Sequence, residues 1–159
     1  MSSLLLVCLA NQLLAQEQRV ELRDVPPAVL SNARTRFPTA KLLGVAKETE
    51  DGKTFYEVSL SRSGRTIDVT TTLAGDVTLI ERELSRKEVP AVVAQFLDAQ
   101  YPSATIQLIE EVRNVSGKNE TLAFYEALLV DNKKQRLEVQ VSPDGLKVLK
   151  VERKKAEEP

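Results

Sequence analysis

Histidine is absent from the 159 residues, and with it go the commonest general base and the commonest metal ligand, so Ser-His and Cys-His catalysis are excluded. Tryptophan is absent too, and aromatic residues make up only 4% of the chain, too few for a base-stacking surface or a sugar-binding platform. The one cysteine, Cys8, lies in an apolar N-terminal run, so the rest of the chain has no disulfide and must be held by packing. No sign of charge dominates: 23 acidic residues face 22 basic ones, a balance that argues against nucleic acid as a partner. Walker-type loops, G-x-G-x-x-G and EF-hand spacings are missing, and "DG" at Asp51 and Asp144 is a hairpin signal. Glu110 and Glu111 are neighbours on an expected strand, so their carboxylates point to opposite faces and cannot act as a pair. The sequence therefore offers no catalytic residue, no metal ligands and no cofactor motif, and the expectation is a protein that is not an enzyme.

What is present is a foldable chain with 42% hydrophobic residues. Its start, "MSSLLLVCLANQLLAQEQ", resembles a secretory signal peptide, although no Lys or Arg precedes the apolar run and Leu13 stands where a small residue suits cleavage after Ala15. Val7 is larger than the residue a lipid-attachment cysteine wants before it. The run is too short for a stable membrane span. Residues 1–19 are therefore expected to be a signal peptide and N-terminal segment, and the protein periplasmic or secreted.

The body of the chain repeats itself. Val25-Pro26 returns as Val89-Pro90 and Phe37-Pro38-Thr39-Ala40 as Tyr101-Pro102-Ser103-Ala104, each displaced by 64 positions. Further on, 69 positions separate Phe55-Tyr56-Glu57 from Phe124-Tyr125-Glu126, and 70 separate Ile67, Val69 and Gly75 from Leu137, Val139 and Gly145. The growing displacement places an insertion in "NVSGKNE", Asn114 to Glu120, a polar segment suited to a hairpin loop. This pattern predicts a tandem duplication with units at 20–84 and 85–153, followed by a charged tail at 154–159.

Each unit opens with proline in a first helical turn, and each helix should stop before Phe37-Pro38 or Tyr101-Pro102, because a residue preceding proline is pushed out of the helical region. The period then falls to two. Tyr56, Val58 and Leu60 alternate with Phe55, Glu57 and Ser59, as Tyr125, Ala127 and Leu129 alternate with Phe124, Glu126 and Leu128, the pattern of half-buried antiparallel strands. The expected class is α+β: two copies of a helix plus a four-stranded antiparallel meander, with the helices on one face of the sheet. The junction Glu81–Pro90 lacks the composition of a flexible linker, so the units should adjoin, as one sheet of about eight strands with both helices on one face or, alternatively, as two separately packed halves.

These residues carry a likeness. "VPPAVL…RFPTAKLLGVAKETEDGKTFYEVSLSRSGRTIDVTTTLAGDV" resembles the PepSY-like domains grouped with β-lactamase-inhibitor-like proteins, and both units share it. The second unit departs at the insertion and has Asn132-Lys133 where the first has Ser63-Gly64. The resemblance implies exported proteins with binding or inhibitory roles, and it transfers no catalytic residue.

Two functional expectations follow. One is an exported, non-catalytic module that binds an unidentified protein partner, with inhibition of an envelope or secreted enzyme as the form of binding that the resemblance implies. The other is a structural or envelope-stress accessory that binds a small ligand or stabilises an assembly. If Tyr56, Val58 and Leu60 face the helices, then Phe55 and Glu57 face away, as do Phe124, Glu126 and Leu128 in the second unit. These five residues are the candidate binding surface, read as exposed apolar anchors in an acidic rim that includes Asp68 and Glu138. A loop, the N-terminal segment or a second copy of the chain is the alternative cover, so self-association is compatible with the pattern.

Overall fold

The first helix, α1 (Pro27–Arg36), begins directly after Pro26, whose missing N–H costs a helix start nothing. It buries Val29 and Ala33, and Phe37 continues the same stripe one turn on as the chain leaves the helix. The second, α2 (Ala91–Gln100), repeats the arrangement with Val93, Leu97 and Tyr101. Both close with a backbone hydrogen bond from the terminal aromatic residue, Phe37 N–H to the Ala33 carbonyl and Tyr101 N–H to the Leu97 carbonyl, before proline ends them.

The computed structural model describes residues 18–50 and 52–154, so the expected signal peptide and most of the C-terminal tail lie outside the described residues. Within that span the strands are β1 (Gln18–Arg19), β2 (Lys41–Glu50), β3 (Lys53–Arg62), β4 (Arg65–Thr72), β5 (Val77–Glu83), β6 (Thr105–Ser116), β7 (Asn119–Val130), β8 (Arg136–Val141) and β9 (Val148–Lys154). They form a single antiparallel sheet in the order β1-β2-β3-β4-β5-β6-β7-β8-β9, each strand beside its neighbours in sequence.

This sheet corrects the expected α+β class. The protein is mainly β, one nine-stranded sheet with two ten-residue helices laid on it, and not two helix-plus-four-stranded meanders. The reason lies at β5. A strand ending a separate meander would expose a row of unpaired N–H and C=O groups. Instead Leu79 to Glu83 pair with Asn114 to Glu110 on β6, so the hydrogen bonding runs through the junction. Gln18 and Arg19 add the ninth strand by pairing with Lys47 and Ala46.

Strand alternation divides the two faces. Val58, Leu60, Ile67, Val69 and Ile80 are buried with α1, and Ile109, Ala127, Leu129, Val139 and Val141 with α2, giving two apolar clusters on the helix side. Where they meet, the helix side of the sheet turns ionic. The Glu120 carboxylate on β7 accepts hydrogen bonds from Arg36 Nη2 of α1 at 2.9 Å and from Arg82 Nη2 of β5 at 2.8 Å. Arg82 also reaches Glu111 at 3.3 Å, and Arg113 reaches Glu111 at 3.0 Å. The guanidinium groups of Arg62 and Arg82 each lie 5.6 Å from the centre of the Phe37 ring, within cation–π range. Burial alone would raise the Glu120 carboxyl, but hydrogen bonds from Arg82 and Arg36 outweigh it and hold the group below its ordinary value.

Glu120 therefore ties α1 and β5 to the β6–β7 hairpin. Replacing it with Gln removes the carboxylate that Arg36, Arg82 and Arg113 share and leaves only Arg82 and Arg113 paired, with Glu111, which should lower unfolding free energy by about 2 kcal/mol. Urea denaturation measures this; a loss below about 0.5 kcal/mol would place the cluster among ordinary surface ion pairs.

Candidate functional site

The face of the sheet turned away from the helices collects carboxylates. Cross-strand register places Asp68 of β4 opposite Glu81 of β5, and Glu83, Glu110 and Glu126 side by side on β5, β6 and β7. Glu57 lies on the same face of β3, with Glu138 on β8. Neighbouring strands are only about 4.8 Å apart, so these groups cannot all stay ionised at neutral pH. The Glu81 carboxyl is pushed up from 4.5 to about 9, first by burial and then by the charges of Glu126, Glu110, Glu57 and Asp68. Burial, then Asp68, Glu126 and Glu83, push Glu110 up to about 7. Near neutrality Glu81 holds its proton and Glu110 is near half-titration. Gln140 Nε2 donates to Glu126 Oε2 at 3.0 Å and anchors one end of the band.

The band is spread over six strands rather than gathered to a point. Among the described residues no three His, Cys, Asp or Glu side chains are placed to hold a metal ion.

Apolar groups are set into the same face. Val112 stands between Glu81 and Phe124 in the register and is fully buried. Leu128 lies between Leu108 and Glu138, and Phe55 between Glu48 and Thr72. All five sequence-selected residues, Phe55, Glu57, Phe124, Glu126 and Leu128, are on this face. However, Phe55, Phe124 and Leu128 are half-buried where exposed anchors were expected. The structure also separates them: Phe55 and Phe124 are on strands four apart, roughly 19 Å across the sheet. Phe124, Glu126 and Leu128 share one strand and form one locus, while Phe55 and Glu57 form another.

Glu81 and Glu110 were missed as members of the site. Their signal was the strand phase: Ile80 and Arg82 belong to the helix side, so Glu81 between them must share a face with Asp68. On the helix side, a groove of about 470 Å³ runs between α2 and the start of β6, lined by Leu84, Val89, Ala94, Asp98, Ile106 and their neighbours.

No protein-family model matches the chain, and no curated protein matches it. Solved structures share its fold. A protein considered periplasmic, from Bacteroides eggerthii, superposes with a TM-score of 0.62 at 19% identity over 81% of this chain and 88% of that one. A DUF2874 family protein from Bacteroides uniformis gives 0.60 at 16% identity, covering 80% and 88%. A BLIP-like protein from Bacteroides fragilis gives 0.56 at 13% identity over 80% of this chain and 85% of that chain, so the fold is one shared with DUF2874 and BLIP-like proteins.

Proposed function

We propose that the chain is an exported, non-catalytic protein-binding module of the periplasm, which uses the face opposite its helices to hold a protein partner, with inhibition of an envelope or secreted enzyme as the specific role. The carrying observation is that face itself: a broad sheet surface with a band of carboxylates around Val112, Phe124 and Leu128. Support for export and for binding comes from the fold, which is shared with a protein considered periplasmic and with a BLIP-like protein. The chemistry of the band favours a partner presenting lysine or arginine beside apolar side chains. A cation brought against Glu81 and Glu110 would favour their ionised forms.

The reading includes an origin in two PepSY-like units, 20–84 and 85–153. It is supported by matching geometry at two glycines. Gly75 and Gly145 both have positive φ, and both abut the first turn of a helix, at Ala28 and at Val92 respectively.

The test is photo-crosslinking in a periplasmic extract of the native host. Benzoylphenylalanine replaces Phe124 or Phe55 in turn, with Arg34 on the exposed side of α1 as the control position. The expected result is one discrete adduct from Phe124, competed by unlabelled protein, and little from Arg34. Equal labelling from Arg34, or no adduct from either sheet position, would remove this face as the binding surface.

A further inference from the structure

The two edges of the sheet are unequal. Among the described residues β1 contributes two residues at one end, too few to template another strand, whereas at the other β9 runs for seven residues and pairs only with β8. An edge of this kind is a ready site for strand addition. Beside it, the helix side of β9 carries Val151 at 47% exposure and Val148 at 38%, with Leu149 at 52% in the bulge between them. The turn into β9 adds Leu146, and Gly145 brings it against Val92 of α2, itself exposed. Exposed apolar groups are thus concentrated along one edge.

The opposite side of β9 decides the occupant. Lys150 and Glu152 both point there and bridge each other, Nζ to Oε1, at 2.6 Å. A two-fold axis perpendicular to the sheet would pair β9 with a second β9 in antiparallel sense and keep the helix sides together. Centred on Val151, that axis sets Val151 against its own copy, Lys150 against Glu152 of the partner subunit, and Glu152 against Lys150 of the partner subunit. Sliding the axis one residue either way sets Lys150 against Lys150 or Glu152 against Glu152, and like charges directly opposite are destabilising. One register is therefore self-complementary in charge at Lys150 and Glu152 and sets Val151 against its own copy. The bulge and the lysines that discourage pairing with an arbitrary strand leave this register available.

We propose that β9 is a homodimerisation edge, joining two copies of this chain into one continuous sheet through the register centred on Val151. The contact is isologous and closed, because the two-fold axis uses up both β9 edges. It stands apart from the open face and does not depend on the function proposed for it.

Sedimentation equilibrium over a concentration series tests it. The wild type should show a monomer–dimer equilibrium. Lys150→Glu and Glu152→Lys should each weaken association by about tenfold or more, since each sets like charges opposite one another at both symmetric positions. An equimolar mixture of the two variants should recover the dimer, because Glu at position 150 then faces Lys at position 152 in one pair and the native Glu152 faces the native Lys150 in the other. A wild type that stays monomeric up to about 1 mM overturns the proposal. So does a dimer indifferent to both variants, or a mixture that fails to recover.

Discussion

Raising the pH from about 5 to about 9 should lower the melting temperature substantially, and replacing Glu81 with Gln should remove most of that slope. The folded pKa of Glu81, about 9, lies above its ordinary 4.5, so between these values the folded chain holds a proton that the unfolded chain has released. Stability then falls as pH rises: the contribution is fully present below 4.5 and is lost as the pH passes through 9. Glu110 acts with the same sign over the narrower window from 4.5 to about 7. A displacement of one pH unit corresponds to about 1.4 kcal/mol. Because the carboxylates are coupled and partly hydrated, we expect on the order of 3 kcal/mol in total, or roughly 10 °C for a domain of this size. The absence of histidine sharpens the test, since no imidazole titrates in this range. Glu120 works oppositely: its lowered carboxyl contributes stability that is lost in acid, so the optimum should sit near about pH 5. The check is calorimetry across pH for wild type and Glu81→Gln. A flat wild-type profile, or an unchanged slope in the variant, would show that the acidic band is more hydrated than its burial implies.

The second large effect is expected at Gly75. Its φ is +90°, and a Cβ there would meet the carbonyl carbon and oxygen of Ala28 at 2.8 Å and the Ala28 side chain at 2.9 Å. The obstacle is mostly backbone in the first turn of α1, so the helix would have to move. It is already pinned to this turn by Asn32 Nδ2, which donates to the Gly75 carbonyl at 2.8 Å. Gly75→Ala should cost about 4 kcal/mol, combining left-handed strain with lost packing of Val29 and Ala33. Gly145→Ala should cost about 2 kcal/mol, because its nearest obstacle is the Val92 side chain, which is exposed and can turn outward. Gly52→Ala meets open space and carries strain alone, about 1 kcal/mol. Urea midpoints rank the three; Gly75→Ala and Gly52→Ala within about 1 kcal/mol of each other would show that the turn yields freely.

Much of the local structure was legible in the residues. Proline at each helix start and the aromatic-proline pair at each end set the helix limits, and period-two alternation put Tyr56, Val58 and Leu60 inward and Phe55 and Glu57 outward. The continuity from β5 to β6 was one of two arrangements the residues allowed. Alternation tells which way a side chain faces, but not which edge will meet which, so one sheet of about eight strands and two separately packed halves both fitted the pattern. The ionic seam was hidden for a related reason: Arg82 and Glu120 are far apart in sequence and each looks like a solvated strand charge until the register joins them. Burial at Phe124 and Leu128 was misjudged because exposure depends on neighbouring strands, Val112 and Leu108 among them.

The strand order has a kinetic side. Among the described residues every strand from β1 to β9 hydrogen-bonds only to its predecessor and successor, so no pairing reaches past the next strand, and the widest intervals are those that α1 and α2 bridge. Loop-closure entropy is spread over many short steps, which places the protein toward the fast end for a β-rich chain of its length. The sheet can grow like a zip from any hairpin that forms first, and a chain emerging from its N-terminus can add each strand to an edge already in place.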